Sequence, residues 1–175
     1  MKINIRRIWL KIIRNKMNRK IKNEMKIEFL SKSANEAFAR ISVAAFASQL
    51  DPTIEEIADI KTSVSEAVTY TIIHAYPNKD GIVKLKAILL EDEIEIEVSD
   101  NGQGIENVEE ARKPLFTTKG NLERSGMGFT IMENFMDELK VESILGLGTK
   151  VTMRRKIKSN SQKEEFAVAT IRGEE

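Results

Sequence analysis

Glu93-Ile-Glu-Ile-Glu-Val-Ser-Asp-Asn-Gly-Gln-Gly-Ile105 is the stretch from which the fold is read. Ile94, Ile96 and Val98 alternate with charged or polar residues, the period-two pattern of a strand with one buried face. The alternation runs into Asp100-Asn101-Gly102-Gln103-Gly104. An Asp closing a strand, followed by two glycines one residue apart, sets a carboxylate at the end of a sheet beside backbone that a flat ligand can approach closely. The same string also suits an ordinary turn. Its weight comes from two other stretches, Ser65 to Tyr76 and Thr117 to Gly128.

Working outward, Ile82 to Leu90 reads as a strand antiparallel to Glu93–Ser99, joined to it at Glu91-Asp92, and Asn78-Lys-Asp-Gly81 as the turn before it. Upstream, Asp51-Pro52 opens a helix with Asp as N-cap and Pro in the first turn. Ile57, Ile60, Val64, Val68, Ile72 and Ala75 recur along it at three- and four-residue steps, and Pro77 follows its end. Glu66, Tyr70 and His74 form a second row on this helix, one turn apart. A Glu in such a row is either a solvated charge or a site carboxylate. Ser33-Ala-Asn-Glu36 has the form of a capping box and opens an earlier helix reaching about Leu50, with Phe38, Ile41, Ala45 and Phe46 as its expected core face. Arg40 is displaced from that stripe, either as a solvated charge or as a partner contact. Met25–Leu30 reads as the first strand.

Downstream, Glu106–Arg112 is a short helix and Lys113–Ser125 a loop long enough to suggest function. Gly126-Met127-Gly128 leads straight into a helix carrying Phe129, Met132, Phe135, Met136 and Leu139. Glycines before a helix N-terminus offer free amides and the positive dipole end to an anion, although a plain helix start has the same look. Lys140–Leu145 and Thr149–Ile157 are strands joined by Gly146-Leu147-Gly148. The elements sum to an α+β fold of two layers, with helices packed on one face of a mixed, mostly antiparallel sheet.

Composition narrows the chemistry. At 175 residues, 41% hydrophobic and 31% charged, the chain can build one real core. With no cysteine, disulfides, thiolate metal sites and Cys nucleophiles are excluded, and a cytoplasmic location is expected. The single histidine, His74, rules out His-cluster metal sites and argues against a histidine autokinase. Nine of the 28 Lys/Arg lie in residues 1–24, leaving 19 basic against 26 acidic residues, a net −7, in 25–175. An acidic body is a poor nucleic-acid binder and suits a protein partner. Residues 1–24 are expected to be a poorly ordered basic extension, the competing reading being an amphipathic helix on a membrane surface or a partner. Its apolar runs are too short for a transmembrane segment. Residues 25–157 are expected to form the domain, and 158–175 a mobile tail.

Four strings carry a resemblance: Val64-Ser-Glu-Ala-Val-Thr69; Ile72-Ile-His74; Ala111-Arg112 with Pro114-Leu-Phe-Thr-Thr-Lys119; and Leu122-Glu-Arg-Ser-Gly-Met-Gly-Phe-Thr-Ile-Met-Glu-Asn-Phe-Met136. In this order the chain resembles the GHKL, or Bergerat-fold, ATPases, and within them the bacterial anti-sigma serine kinases, above all the sporulation anti-sigma F factors. The likeness spans about residues 22 to 157, and Lys22-Asn-Glu-Met25 looks like the family's customary start. It implies ATP or ADP held between helices and sheet. Asp100 would bind the adenine amino group, with Thr149 nearby, and Gly102 and Gly104 would let backbone pass close to the nucleotide. Thr117–Ser125 would be a lid bringing Thr118, Lys119 and Arg124 to the phosphates. Gly126, Met127 and Gly128 would seat them, and Glu66 would be the catalytic base. The family's partners would be a sporulation sigma factor and an anti-anti-sigma protein phosphorylated on serine, met by a homodimer through Arg40, with no direct contact to nucleic acid.

One position departs. The family's Mg²⁺-binding Asn falls on Tyr70, and a phenol that keeps its proton to about pH 10 is a poor ligand for a hard cation. The alternative sources of a ligand oxygen are a nearby water, a shifted backbone or Thr71, which stands where the family usually has Ala. Ala75 stands where the family usually has Gly. Weakened nucleotide binding and low kinase turnover are expected.

Overall fold

Residues 20–77, 79–114 and 126–158 are described by the computed structural model. Five strands, β1 (Asn23–Leu30), β2 (Ile82–Leu89), β3 (Glu93–Asp100), β4 (Glu138–Ile144) and β5 (Gly148–Lys156), lie in the order β1-β2-β3-β5-β4. All four pairings are antiparallel. The expected α+β architecture is present, but the expected mixed sheet is purely antiparallel among the described residues. The helices are α1 (Ala34–Ala47), α2 (Ile54–His74), the short α3 (Val108–Ala111) and α4 (Gly128–Phe135), with a 3₁₀ turn at Ser48–Leu50.

The period-two reading of the central strand holds. Ile94, Ile96 and Val98 are buried, facing Leu89, Ala87 and Leu85 across the β2 pairing. Val98 and Ile96 meet Val151 and Met153 across β5. Together with Ile60, Val64, Ala67 and Val68 of α2 and Phe129 and Met132 of α4, these residues form one core between helices and sheet. The other sheet face is an array of ion pairs. Arg154 bonds to Glu95 at 2.6 Å and to Glu138 at 2.5 Å, and Glu142 is flanked by Lys140 and Lys150. Those two ammonium groups hold the Glu142 carboxyl down to about 2.

Three helix details differ from the sequence reading. α4 ends at Phe135, so Leu139, expected on that helix, lies in β4. Ser33 has helical backbone angles and makes no side-chain cap, so the expected box at Ser33–Glu36 is not formed. Asp51 and Pro52 do not start α2 either. Asp51 closes the 3₁₀ turn in a left-handed conformation (φ 53°, ψ 51°). Thr53 is the N-cap, its extended backbone letting the hydroxyl accept from Glu56 N while Glu56 Oε2 accepts from Thr53 N at 2.9 Å. A carboxylate–guanidinium contact then fixes α2 to the sheet: Arg155 of β5 donates to Asp59 at 2.7 Å and to the Phe135 carbonyl that ends α4.

The face of α1 follows expectation at Phe46, which packs against the core, but not at the other three positions. Ala39, Val43 and Ala47 are buried, whereas Phe38 and Ile41 are 55% and 57% exposed and Ala45 is exposed as well. Small residues face inward because α1 packs closely on α2, and a large ring would hold the two helices apart. No helix among the described residues is long and apolar enough to cross a membrane.

Candidate functional site

The alternation that buries Ile94, Ile96 and Val98 continues to Asp100, so strand geometry alone turns this carboxylate inward. It is 6% exposed. Asp100 Oδ1 accepts from Gly102 N at 2.8 Å, and the Thr149 amide also donates to the carboxylate. Burial pushes the Asp100 carboxyl above its ordinary value, and the two amide hydrogen bonds work in the opposite direction. An inward carboxylate at the end of a sheet, held by backbone amides, can accept hydrogen bonds from a planar donor.

The surrounding backbone is close-packed at glycines. A β-carbon on Gly102 would lie 2.2 Å from the Ala75 carbonyl oxygen, and one on Gly148 2.1 Å from that of Asp100. Gly104 (φ 73°) abuts the Ile144 carbonyl, which a β-carbon would approach to 2.3 Å. The close approach that Gly102 and Gly104 permit is therefore to the end of α2 and to the β4–β5 turn. Gln103 N donates to Ala75 O at 2.8 Å and Gly146 N to Gln103 O at 2.7 Å, which pins the strand exit between those elements. Thr149 is buried, with its hydroxyl 2.9 Å from Ser143 Oγ. Ser143 Oγ accepts from Ile105 N at 2.7 Å and lies 3.1 Å from the Gly148 carbonyl, where its one proton can go.

On α2 the row Glu66, Tyr70, His74 faces α4. Glu66 Oε2 would lie 3.2 Å from a β-carbon on Gly128, the first residue of α4. The N-cap Met127 supplies no side-chain cap, and Gly126 before it has φ 62°. The Tyr70 ring is 4.5 Å from that of His74, tilted 31°, and 4.8 Å from that of Phe129, tilted 55°. Glu66, Tyr70, Gly126, Met127 and Gly128 are thus gathered at the α2–α4 junction. Asp100, Gly102, Gly104 and Thr149 are gathered at the β3 exit. Ala75, at the end of the same α2, joins the two groups through its bond to Gln103.

Thr118, Lys119 and Arg124 lie outside the described residues. Arg40 stands apart from both groups, on α1, its Nε 2.9 Å from Glu36 Oε1. It lines a groove of about 400 Å³ between α1 and α2 with Glu36, Ala58, Lys61, Thr62 and Ser65.

Apart from the Glu66 carboxylate, the donors of the α2 row suit a divalent cation poorly. The Tyr70 ring is packed between His74 and Phe129, and the Thr71 hydroxyl is buried and donates to Ala67 O at 3.2 Å within its own helix. Among the described residues, no cluster of three or more His, Asp or Glu side chains forms a metal centre.

Residue reasoning missed Tyr76. Its hydroxyl donates to Ile82 O at 2.7 Å and accepts from Asn101 N at 3.0 Å, tying the end of α2 to β2 and to the turn after Asp100. Nothing local marks it, because both contacts are with other elements. Gly148 was legible only as a turn residue, and its positive φ (113°) beside Asp100 is a feature of the tertiary structure.

The family model described as the histidine kinase-like ATPase domain matches residues 29–155. An anti-sigma F factor of Caldanaerobacter subterraneus subsp. tengcongensis is 64% identical over 138 residues, 79% of this chain and 96% of that protein. One of Clostridium acetobutylicum is 58% identical over 136 residues, 78% of this chain and 95% of the relative. Among solved structures, that of the RsbU and RsbW domains of a Mycobacterium tuberculosis protein superposes with a TM-score of 0.58 at 17% identity. It covers 78% of this chain and 33% of the other, a likeness of fold.

Proposed function

The chain belongs to the histidine kinase-like ATPase domain family, and from that premise we propose that it is an anti-sigma factor with the machinery of an ATP-dependent protein serine kinase. In this reading it binds and inhibits a sporulation sigma factor, and its substrate is a serine of the anti-anti-sigma protein. The observation that carries the proposal is the identity of 64% with an anti-sigma F factor over 96% of that relative's length. The gathering of Glu66 with Gly128 and of Asp100 with Thr149 in one fold supports it.

The nucleotide-binding unit is assigned to residues 25–157. Asp100, ionised and fixed by the Gly102 and Thr149 amides, accepts from the amino group of adenine. The amides of the α4 N-terminus at Gly126, Met127 and Gly128 receive the phosphates, favoured by the helix dipole. Thr118, Lys119 and Arg124 are assigned to the phosphates from the intervening segment. Glu66 takes the proton from the serine hydroxyl at Oε2, the position from which it faces that helix end. Bound ATP supplies the phosphoryl group. Arg40, with exposed Phe38 and Ile41 on the same helix, is assigned to protein contact, and the active form to a homodimer.

The packing of Tyr70 between His74 and Phe129 favours a second reading, in which sigma binding persists while phosphoryl transfer is weak. Arg40 and α1 lie outside that cluster. The test is co-purification of the full chain with a sporulation sigma factor in ADP and in ATP, beside a transfer assay on the anti-anti-sigma protein. Sigma capture with serine phosphorylation supports the joint role. Capture without phosphorylation selects the second reading, and no capture removes both.

A further inference from the structure

We propose that Tyr70 takes divalent metal out of nucleotide recognition, so that this chain binds ADP or ATP equally well with and without Mg²⁺. The inference rests on the nucleotide site proposed above and concerns how that site neutralises phosphate charge.

Mg²⁺ on a nucleotide is held through its phosphates, waters and one or two hard protein oxygens in tight octahedral geometry. Among the described residues, the row of α2 that faces the α4 N-terminus is where such protein oxygens would stand. In that row Tyr70 offers a phenol, His74 an imidazole and Glu66 a carboxylate, whose assigned work as the base a bound Mg²⁺ would oppose by lowering its basicity. A phenol that keeps its proton is a poor ligand for a hard cation, and reaching a metal with this one would mean moving a ring now in contact with two others. Those contacts join α2 to α4 through Phe129, the residue after Gly128, so the ring also holds the phosphate-seating helix in place. Aromatic pairs of this kind add stabilisation beyond their buried area. Thr71 cannot substitute, since its hydroxyl is buried against Ala67 O. What remains for the phosphates among the described residues is the α4 amide end, which requires no metal.

Calorimetric titration of the full chain with ADP, in excess Mg²⁺ and in EDTA, reads this directly. The wild type is expected to show affinities within about twofold of each other, as for a ligand whose metal touches no protein oxygen. Tyr70→Asn is expected to bind at least about tenfold more tightly in Mg²⁺ than in EDTA, the scale on which one coordinating group acts. Tyr70→Phe keeps the ring contacts and removes only the oxygen, so it should behave as the wild type even if Tyr70→Asn fails to fold. A wild-type affinity that collapses in EDTA would overturn the inference, and a Tyr70→Phe variant that then loses the Mg²⁺ effect would make the phenol the ligand. No binding in either buffer would instead remove the nucleotide site itself, and this inference with it.

Discussion

Glu66 and Gly128 meet across the α2–α4 junction, with Glu66 Oε2 where a β-carbon on Gly128 would be 3.2 Å away. A carboxylate beside a helix N-terminus is stabilised by the dipole, by about 0.3–1 kcal/mol. The same end is the proposed phosphate seat, so the Glu66 carboxylate repels phosphate oxygens seated there. Glu66→Gln is therefore expected to tighten ADP binding by a few-fold. It should also slow any measurable serine phosphorylation by about 10²–10⁴. Paired nucleotide titration and single-turnover transfer separate the two effects, and a variant that binds ADP more weakly would contradict the placement.

Asp100 sets a pH dependence. Its folded pKa is raised, chiefly by burial, so the folded chain holds this proton at pH values where the unfolded chain has released it. The stability it contributes is complete below the unfolded value and is lost as pH rises through the folded one. At neutral pH the buried charge opposes folding, and Asp100→Asn should raise the stability of the free protein by about 1 kcal/mol. Below the unfolded carboxyl pKa the gain should vanish. Wild-type ADP affinity should decline on acidification above the range of an ordinary carboxylate. Denaturation midpoints and ADP titrations across pH check both halves.

Gly102→Ala tests the packing at the β3 exit. Its β-carbon would meet the Ala75 carbonyl at 2.2 Å, and that carbonyl is held in place by its bond from Gln103 N. Backbone has to shift to admit it, at a cost of about 1–3 kcal/mol. A lower urea midpoint with unchanged slope is the expected result, whereas an unchanged midpoint would mean the contact relaxes freely.

Arg40→Ala addresses the partner surface. Loss of a central Arg at an interface typically costs about 2 kcal/mol or more. Affinity for the sigma factor should fall accordingly in surface-bound titrations while ADP affinity stays at the wild-type value. A parallel fall in both would place Arg40 in the nucleotide site.

The residues that proved legible obey local periodicity. The inward turn of Asp100 follows from the parity of Ile94, Ile96 and Val98, and the Glu66–Tyr70–His74 row from helical spacing. Local pattern failed where a neighbour decides. Phe38 and Ile41 looked like core because they are large, but the tight α1–α2 contact selects Ala39, Val43 and Ala47. Both Ser33-x-x-Glu36 and Thr53-x-x-Glu56 have the form of a capping box, and the choice rests on backbone angles, which are extended at Thr53 and helical at Ser33. The Tyr76 bridge to Ile82 and Asn101 needs three elements in place before it exists.

The pocket at Asp100 underlies the rest of the functional account, and a titration of ADP into wild type and Asp100→Asn at neutral pH tests it most directly. Saturable binding by the wild type, weakened at least about a hundredfold in the variant through loss of the charged acceptor, is the predicted outcome. Equal affinity in the two proteins, or no binding by the wild type, would contradict it.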